Sequence, residues 1–167
     1  MTWTPGAEAD EMAGVRMNYD STQDTLDHIS KVRARINECI DSLQFRANVH
    51  DASKLLPPEK QAFDEVTPLL RELTYGSPEY YANTAKLGEA LEHHYFVNSH
   101  HPQHYQDGIA GMTLLDVLEM LCDWKGASER HADGDIKRSI QINRERFGIN
   151  DQLAAILENT VCELEWV

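Results

Sequence analysis

Histidine is unevenly spread along this 167-residue chain: of eight histidines, His93, His94, His100, His101 and His104 fall within twelve residues. Upstream, His50 and Asp51 stand side by side in NVHDASKLL, with Lys54 three residues after the aspartate. A His-Asp dipeptide is common by itself, and the added lysine makes HDASK more selective. Imidazole nitrogens and carboxylate oxygens together suit one or two divalent transition metals (Mn, Fe, Co, Ni or Zn) better than Ca or Mg. Two cations close together repel unless anionic oxygen lies between them, a role that a carboxylate such as Asp51 can fill.

Adjacent helix residues point about 100° apart, so His50 and Asp51 reach one ion together only at a helix edge or a bend. The remaining donors must come from other inward faces. His28 follows Asp24 by one turn, and Asp24 could ligate or hold the His28 ring through its second nitrogen. Asp123 lies in EMLCDW, within the most apolar helical run. Burying a carboxylate there is costly without a cation or hydrogen-bond partners. His94 falls on a stripe with Leu87 and Leu91, and His100 and His101 lie in the loop just beyond. Each has a blander reading: a surface histidine at a capped helix end for His50, a pairing with Lys125 or Arg130 for Asp123, a satisfied core histidine for His94. Their agreement with one another favours the metal. His104 and His131 read as solvent-exposed. Tyr75, Tyr80, Tyr81, Tyr95 and Tyr105 read as core or rim more readily than as stacking partners for a base.

Helices have to position these donors. Leu26, Ile29, Val32, Ile36, Ile40 and Leu43 recur at spacings of three and four, one face of a helix from about Asp20 to Phe45. Ser21 or Thr22 can cap it. A short helical stretch from Val49 to Leu55 must stop before Pro57-Pro58. The next helix starts near Pro58, with a kink or break expected at Pro68. A further helix is expected over Pro78–Val97, then a polar loop, 98–111. Thr113 caps an apolar, central helix, and two amphipathic helices follow, about Asp135–Phe147 and Asp151–Trp166. No window alternates with period two. The expectation is an all-α, single-domain bundle of six or seven helices over 19–167, with 1–18 as a loose arm.

Length and charge narrow the function classes. A chain of this size buries a core without staples. Its formal charge of −13 argues against binding a nucleic-acid polymer or an anionic membrane surface. No long apolar run suggests a membrane span, and MTWTPGAEADEMAG lacks the apolar stretch of a signal peptide, so the expected location is the cytoplasm. Cys39, Cys122 and Cys162, odd in number and flanked by apolar residues, are expected to be buried reduced thiols.

The order His28, His50-Asp51, His94, His100-His101, Asp123 resembles the HD-domain superfamily of metal-dependent phosphohydrolases. The matching pieces are a lone histidine on an early helix, HDASK, and a late helical aspartate in LCDW. HHPQHYQDG is similar to the expanded histidine set of its binuclear branch. The stretch from about Asp24 to Phe147 also resembles a phage and bacterial family with an HDxSK motif. The resemblance implies an HD-like helical fold and hydrolysis of a nucleotide or other small phosphoester by metal-activated water. It implies His28, His50, Asp51 and Asp123 as a core metal quartet, His94, His100 and His101 as second-metal ligands, and Lys54 facing the phosphate. Asp51 near that water could take its proton, and Arg46 or Arg130 could offset phosphoryl charge. The GYP part of the cyclic-dinucleotide branch's signature is missing, so that substrate does not carry over. Two alternatives stand beside this reading: an HD-type diiron oxygenase, and a non-catalytic, metal-stapled binding module. A homo-oligomer is compatible with all three.

Overall fold

Helix α1 takes up the apolar 3–4 repeat and runs Thr22–Val49, four residues beyond the expected end. The computed structural model describes residues 19–71, 73–130 and 134–167. The expected arm, 1–18, and His131 lie outside them. Among the described residues there are seven α-helices and no strand, so the chain is all-helical as the patterning predicts. It divides into two units, one ending at Glu38 and one spanning Cys39–Val167.

In the first unit, the apolar stripe stays open: Leu26, Ile29, Val32 and Ile36 are 41–54% exposed. Periodicity thus predicts the helix but not its burial. Asp24 accepts a hydrogen bond from Tyr19, not from the His28 ring.

The second unit holds the end of α1, then α2 (Glu59–Leu70), α3 (Pro78–Thr84), α4 (Glu89–Val97), α5 (Leu114–Ser128), α6 (Ile136–Phe147) and α7 (Asp151–Glu163). The stretch expected as helical up to Leu55 is a single 3-10 turn, Ala52–Leu55. Helix α2 continues through Pro68 and stops two residues later at Leu70. The helix expected over Pro78–Val97 is split into α3 and α4. Gly88 between them has φ 51 and ψ −127, a conformation that only glycine adopts readily.

Thr113 caps α5 as expected, in a capping box closed by Asp116. Asn150 caps α7 through Leu153 N–H. Helices α5, α6 and α7 enclose the main core, where Met120, Leu121, Ile136, Ile140, Leu157 and Val161 are at most 2% exposed. Trp124 stacks on Phe147 with ring centroids 6.4 Å apart. The three cysteines are exposed, contrary to expectation. The reason is angular: Cys122 follows buried Leu121, but one step along a helix turns the side chain away by about 100°. No described helix is long and apolar enough to cross a membrane.

Candidate metal centre

The chain bends where HDASK requires it. His50 follows the last residue of α1, its N–H bonded to Arg46 C=O at 2.8 Å. Asp51 then takes left-handed backbone, φ 56 and ψ 12, opening the 3-10 turn. That reversal lets two neighbouring side chains face one point, which a continuing helix would forbid. Helix α4 supplies buried His94, the turn after it supplies His100 and His101, and α5 supplies Glu119 and Asp123, one turn apart on one face.

Asp51 is the hub. Its Oδ1 lies 3.4 Å from His94 Nε2 and 3.6 Å from His100 Nε2. Its Oδ2 lies 3.6 Å from His50 Nε2 and 2.5 Å from Lys54 Nζ. His50 Nε2 is also 3.6 Å from Asp123 Oδ1, and His94 Nε2 is 2.8 Å from His101 Nε2. Two groups of donors able to hold a metal ion result, Asp51-His94-His100-His101 and His50-Asp51-Asp123, and they share the Asp51 carboxylate. A third, His50-His100-Glu119, is of another kind. There the Nδ1 atoms of His50 and His100 meet Glu119 Oε1 at 3.0 and 3.2 Å, on the far side of each ring from Nε2.

The donors fit a cation. Among the described residues, two buried side-chain atoms have no hydrogen-bond partner, Asp51 Oδ1 and His100 Nε2, and both belong to the same group. Buried polar atoms are nearly always paired, and a cation between them would satisfy both.

Residues 17–163 match a family described as a family of unknown function, DUF5662. The chain belongs to that family. No curated protein and no solved structure matches it.

Of the residues singled out in the sequence, His50, Asp51, His94, His100, His101 and Asp123 converge, with Lys54 on Asp51. His28, in the first unit, is an exposed residue of α1 beside a hollow with Ile29, Val32, Arg33 and Ile36, and none of the donor groups contains it. His104 is exposed. Arg46, offered with Arg130 as a possible phosphate partner, pairs with Asp116 at 2.8 Å and Glu119 at 2.9 Å. Sequence reasoning missed Glu119 and Glu59. Glu119 lies four residues before Asp123 on the same helix face, a spacing that by itself does not mark it out. Glu59, directly after Pro57-Pro58, carried no signal.

Electrostatics follow the crowding. Hydrogen bonding to Asp123, helped by Glu119, raises the His50 imidazole to about 9. Burial drives His101 down to about 3, with His100 and His94 adding to it. Burial also lowers His94 and His100. Burial alone would raise Asp51, but the Lys54 charge and hydrogen bond bring it below the ordinary carboxylate range. Asp123 is likewise held at about 2, against burial, by His50, His101 and His100. Neutral His94, His100 and His101 beside ionised Asp51 are in the protonation state that metal binding needs, whereas His50 must give up a proton to bind an ion. A hollow of about 320 Å³ opens against His50, His100 and Glu119, with Phe45, Arg46 and Ser99 on its wall.

Proposed function

We propose that this protein is a metal-dependent hydrolase of small phosphoesters, with a nucleotide as the favoured substrate class. The observation that carries the reading is the pair of unpartnered buried atoms, Asp51 Oδ1 and His100 Nε2, inside two donor groups joined by one carboxylate. His94, His100 and His101 with Asp51 would hold one ion; His50 and Asp123 with Asp51 would hold a second. The mixed imidazole and carboxylate set favours Mn, Fe, Co, Ni or Zn. When bound, such ions make water more acidic and offset negative charge on phosphoryl oxygens.

The chain's own residues have distinct parts. Asp51, its carboxyl lowered by Lys54, is better suited to hold positive charge than to take a proton at neutral pH. Lys54, 2.5 Å from Asp51, brings its ammonium to the edge of the centre, where it can offset phosphoryl charge. The overall charge of −13 repels polyanions, which favours a small substrate. The resemblance of HDASK and LCDW to HD-domain phosphohydrolases supports the same reaction class.

The test is hydrolysis of nucleotides and simple phosphomonoesters, read as released phosphate, and of phosphodiesters, read as the released alcohol, by protein loaded in turn with Mn, Fe, Co, Ni and Zn. Hydrolysis that disappears on chelation and returns with metal is the expected result. Folded, metal-loaded protein that hydrolyses none of them would refute the hydrolase.

A further inference from the structure

Two carboxylates stand behind the rings rather than among them. Glu59 is 0% exposed, and its Oε2 lies 2.9 Å from His94 Nδ1 while Oε1 lies 2.8 Å from His93 Nδ1. Ser53 Oγ donates to it at 3.0 Å. Glu119 Oε1 meets Nδ1 of both His50 and His100, and Arg46 Nη1 donates to its other oxygen at 2.9 Å. Arg46 is itself braced by Asp116 Oδ1 at 2.8 Å. Glutamates from two different helices thus make the same contact, at Nδ1, with three rings whose Nε2 atoms face Asp51.

We infer that Glu59 and Glu119 are positioning residues that fix which nitrogen of His94, His50 and His100 presents its lone pair to the centre. The inference rests on the metal-centre reading above. An ionised carboxylate can only accept hydrogen bonds, so the ring nitrogen facing it carries the proton. In a neutral imidazole the other nitrogen then holds the lone pair. Without the glutamate, a ring can populate the tautomer that turns N–H toward the ion, and it is free to rotate. Carboxylate–histidine–metal chains of this kind orient ligands and raise their basicity. The pattern also separates Glu119 from the ion-holding groups: Oε1 faces the outer edges of two rings and Oε2 faces Arg46, so neither oxygen faces the inner nitrogens.

The experiment is a Co²⁺ titration of the full chain, read by the visible cobalt band, for wild type, Glu59→Gln, Glu119→Gln and the exposed control Glu129→Gln. Far-UV circular dichroism and melting of the metal-free proteins report folding. Expected is folded Glu59→Gln and Glu119→Gln protein that binds the wild-type number of ions about 10–100-fold more weakly, with an altered band, while Glu129→Gln matches wild type. Glu59→Asp and Glu119→Asp should recover part of the affinity. A bracket that only held helices together would lower melting temperature and leave the band alone. Both Gln variants binding within about twofold of wild type with an unchanged band overturns the inference while sparing the metal centre; a loss in one alone removes the role of the other. Should Glu59→Gln not fold, Glu119→Gln and Glu59→Asp decide. Wild type that takes up no Co²⁺ overturns the metal centre itself, and this inference with it.

Discussion

Asp51 Oδ1 and His100 Nε2 face one another at 3.6 Å, each buried and neither hydrogen-bonded. They come from segments 49 residues apart in the chain, so only the fold brings them together. Substituting the hub of this arrangement is the most direct probe. Asp51→Asn should lose metal affinity by more than the about 10–100-fold expected for an outer partner. Elemental analysis after dialysis reads this. Full metal content in folded Asp51→Asn protein would contradict the shared-carboxylate arrangement.

His28→Ala separates the structure from the resemblance. The HD-domain pattern gives His28 a ligand's place, whereas none of the converging groups contains it. The variant is expected to keep wild-type metal stoichiometry, and a missing ion would restore His28 to the site.

Lys54→Met tests the phosphate side. Its ammonium sits on Asp51 Oδ2 at 2.5 Å, so removing it takes a positive charge from the centre. Phosphate-release kcat/KM should fall by about 10²-fold while metal affinity holds or rises. A parallel drop in metal content would make Lys54 a structural lysine.

Protons and metal-free stability are linked with opposite signs at different rings. Burial holds His101 at about 3 and keeps His94 and His100 below their usual range. The unfolded chain takes up these protons first, so stability falls as pH drops below about 6.5. His50, raised to about 9 mainly by Asp123, contributes stability that is complete below about 6.5 and lost as pH climbs through about 9. Denaturant unfolding of metal-free protein should therefore show its highest midpoint near neutrality, with losses on both sides. A midpoint still rising at alkaline pH would contradict the His50 assignment.

Asp116 is the stability anchor behind the centre. It is 1% exposed and accepts from Thr113 N–H, Thr113 Oγ1, Tyr105 Oη, Ser99 Oγ and Arg46 Nη1 at 2.6–2.8 Å. Asp116→Ala strands buried donors and unpairs Arg46, at a cost of about 3 kcal/mol, lowering Tm by roughly 6–12 °C for a chain this long. Calorimetry of metal-free protein measures it, and a shift under about 2 °C would show that the network is dispensable.

Local signals in the sequence were legible where local physics decides. Thr113 with Asp116 announces the start of α5, and the stripe from Leu26 to Leu43 announces α1. The inner donors were legible because chemistry-bearing types stood out against their surroundings: Asp123 in an apolar run, His94 on an apolar stripe, histidine pairs in a polar loop. What stayed hidden depends on tertiary contact. Nothing local tells Glu119 from any other helical glutamate until α5 meets His50 and His100. Glu59 follows a proline pair and looks like an ordinary first-turn acid, yet it is fully enclosed. The stripe on α1 could not tell whether anything covers it, and Gly88 read as one glycine within a helical pattern rather than as a break.

The left-handed backbone of Asp51, φ 56, is a posture in which glycine or asparagine rests more comfortably than aspartate. A sequence refined for firmness alone would carry glycine there. At this one position, then, robustness and reactivity pull apart: replacements that toughen the empty protein are to be sought among those that silence it.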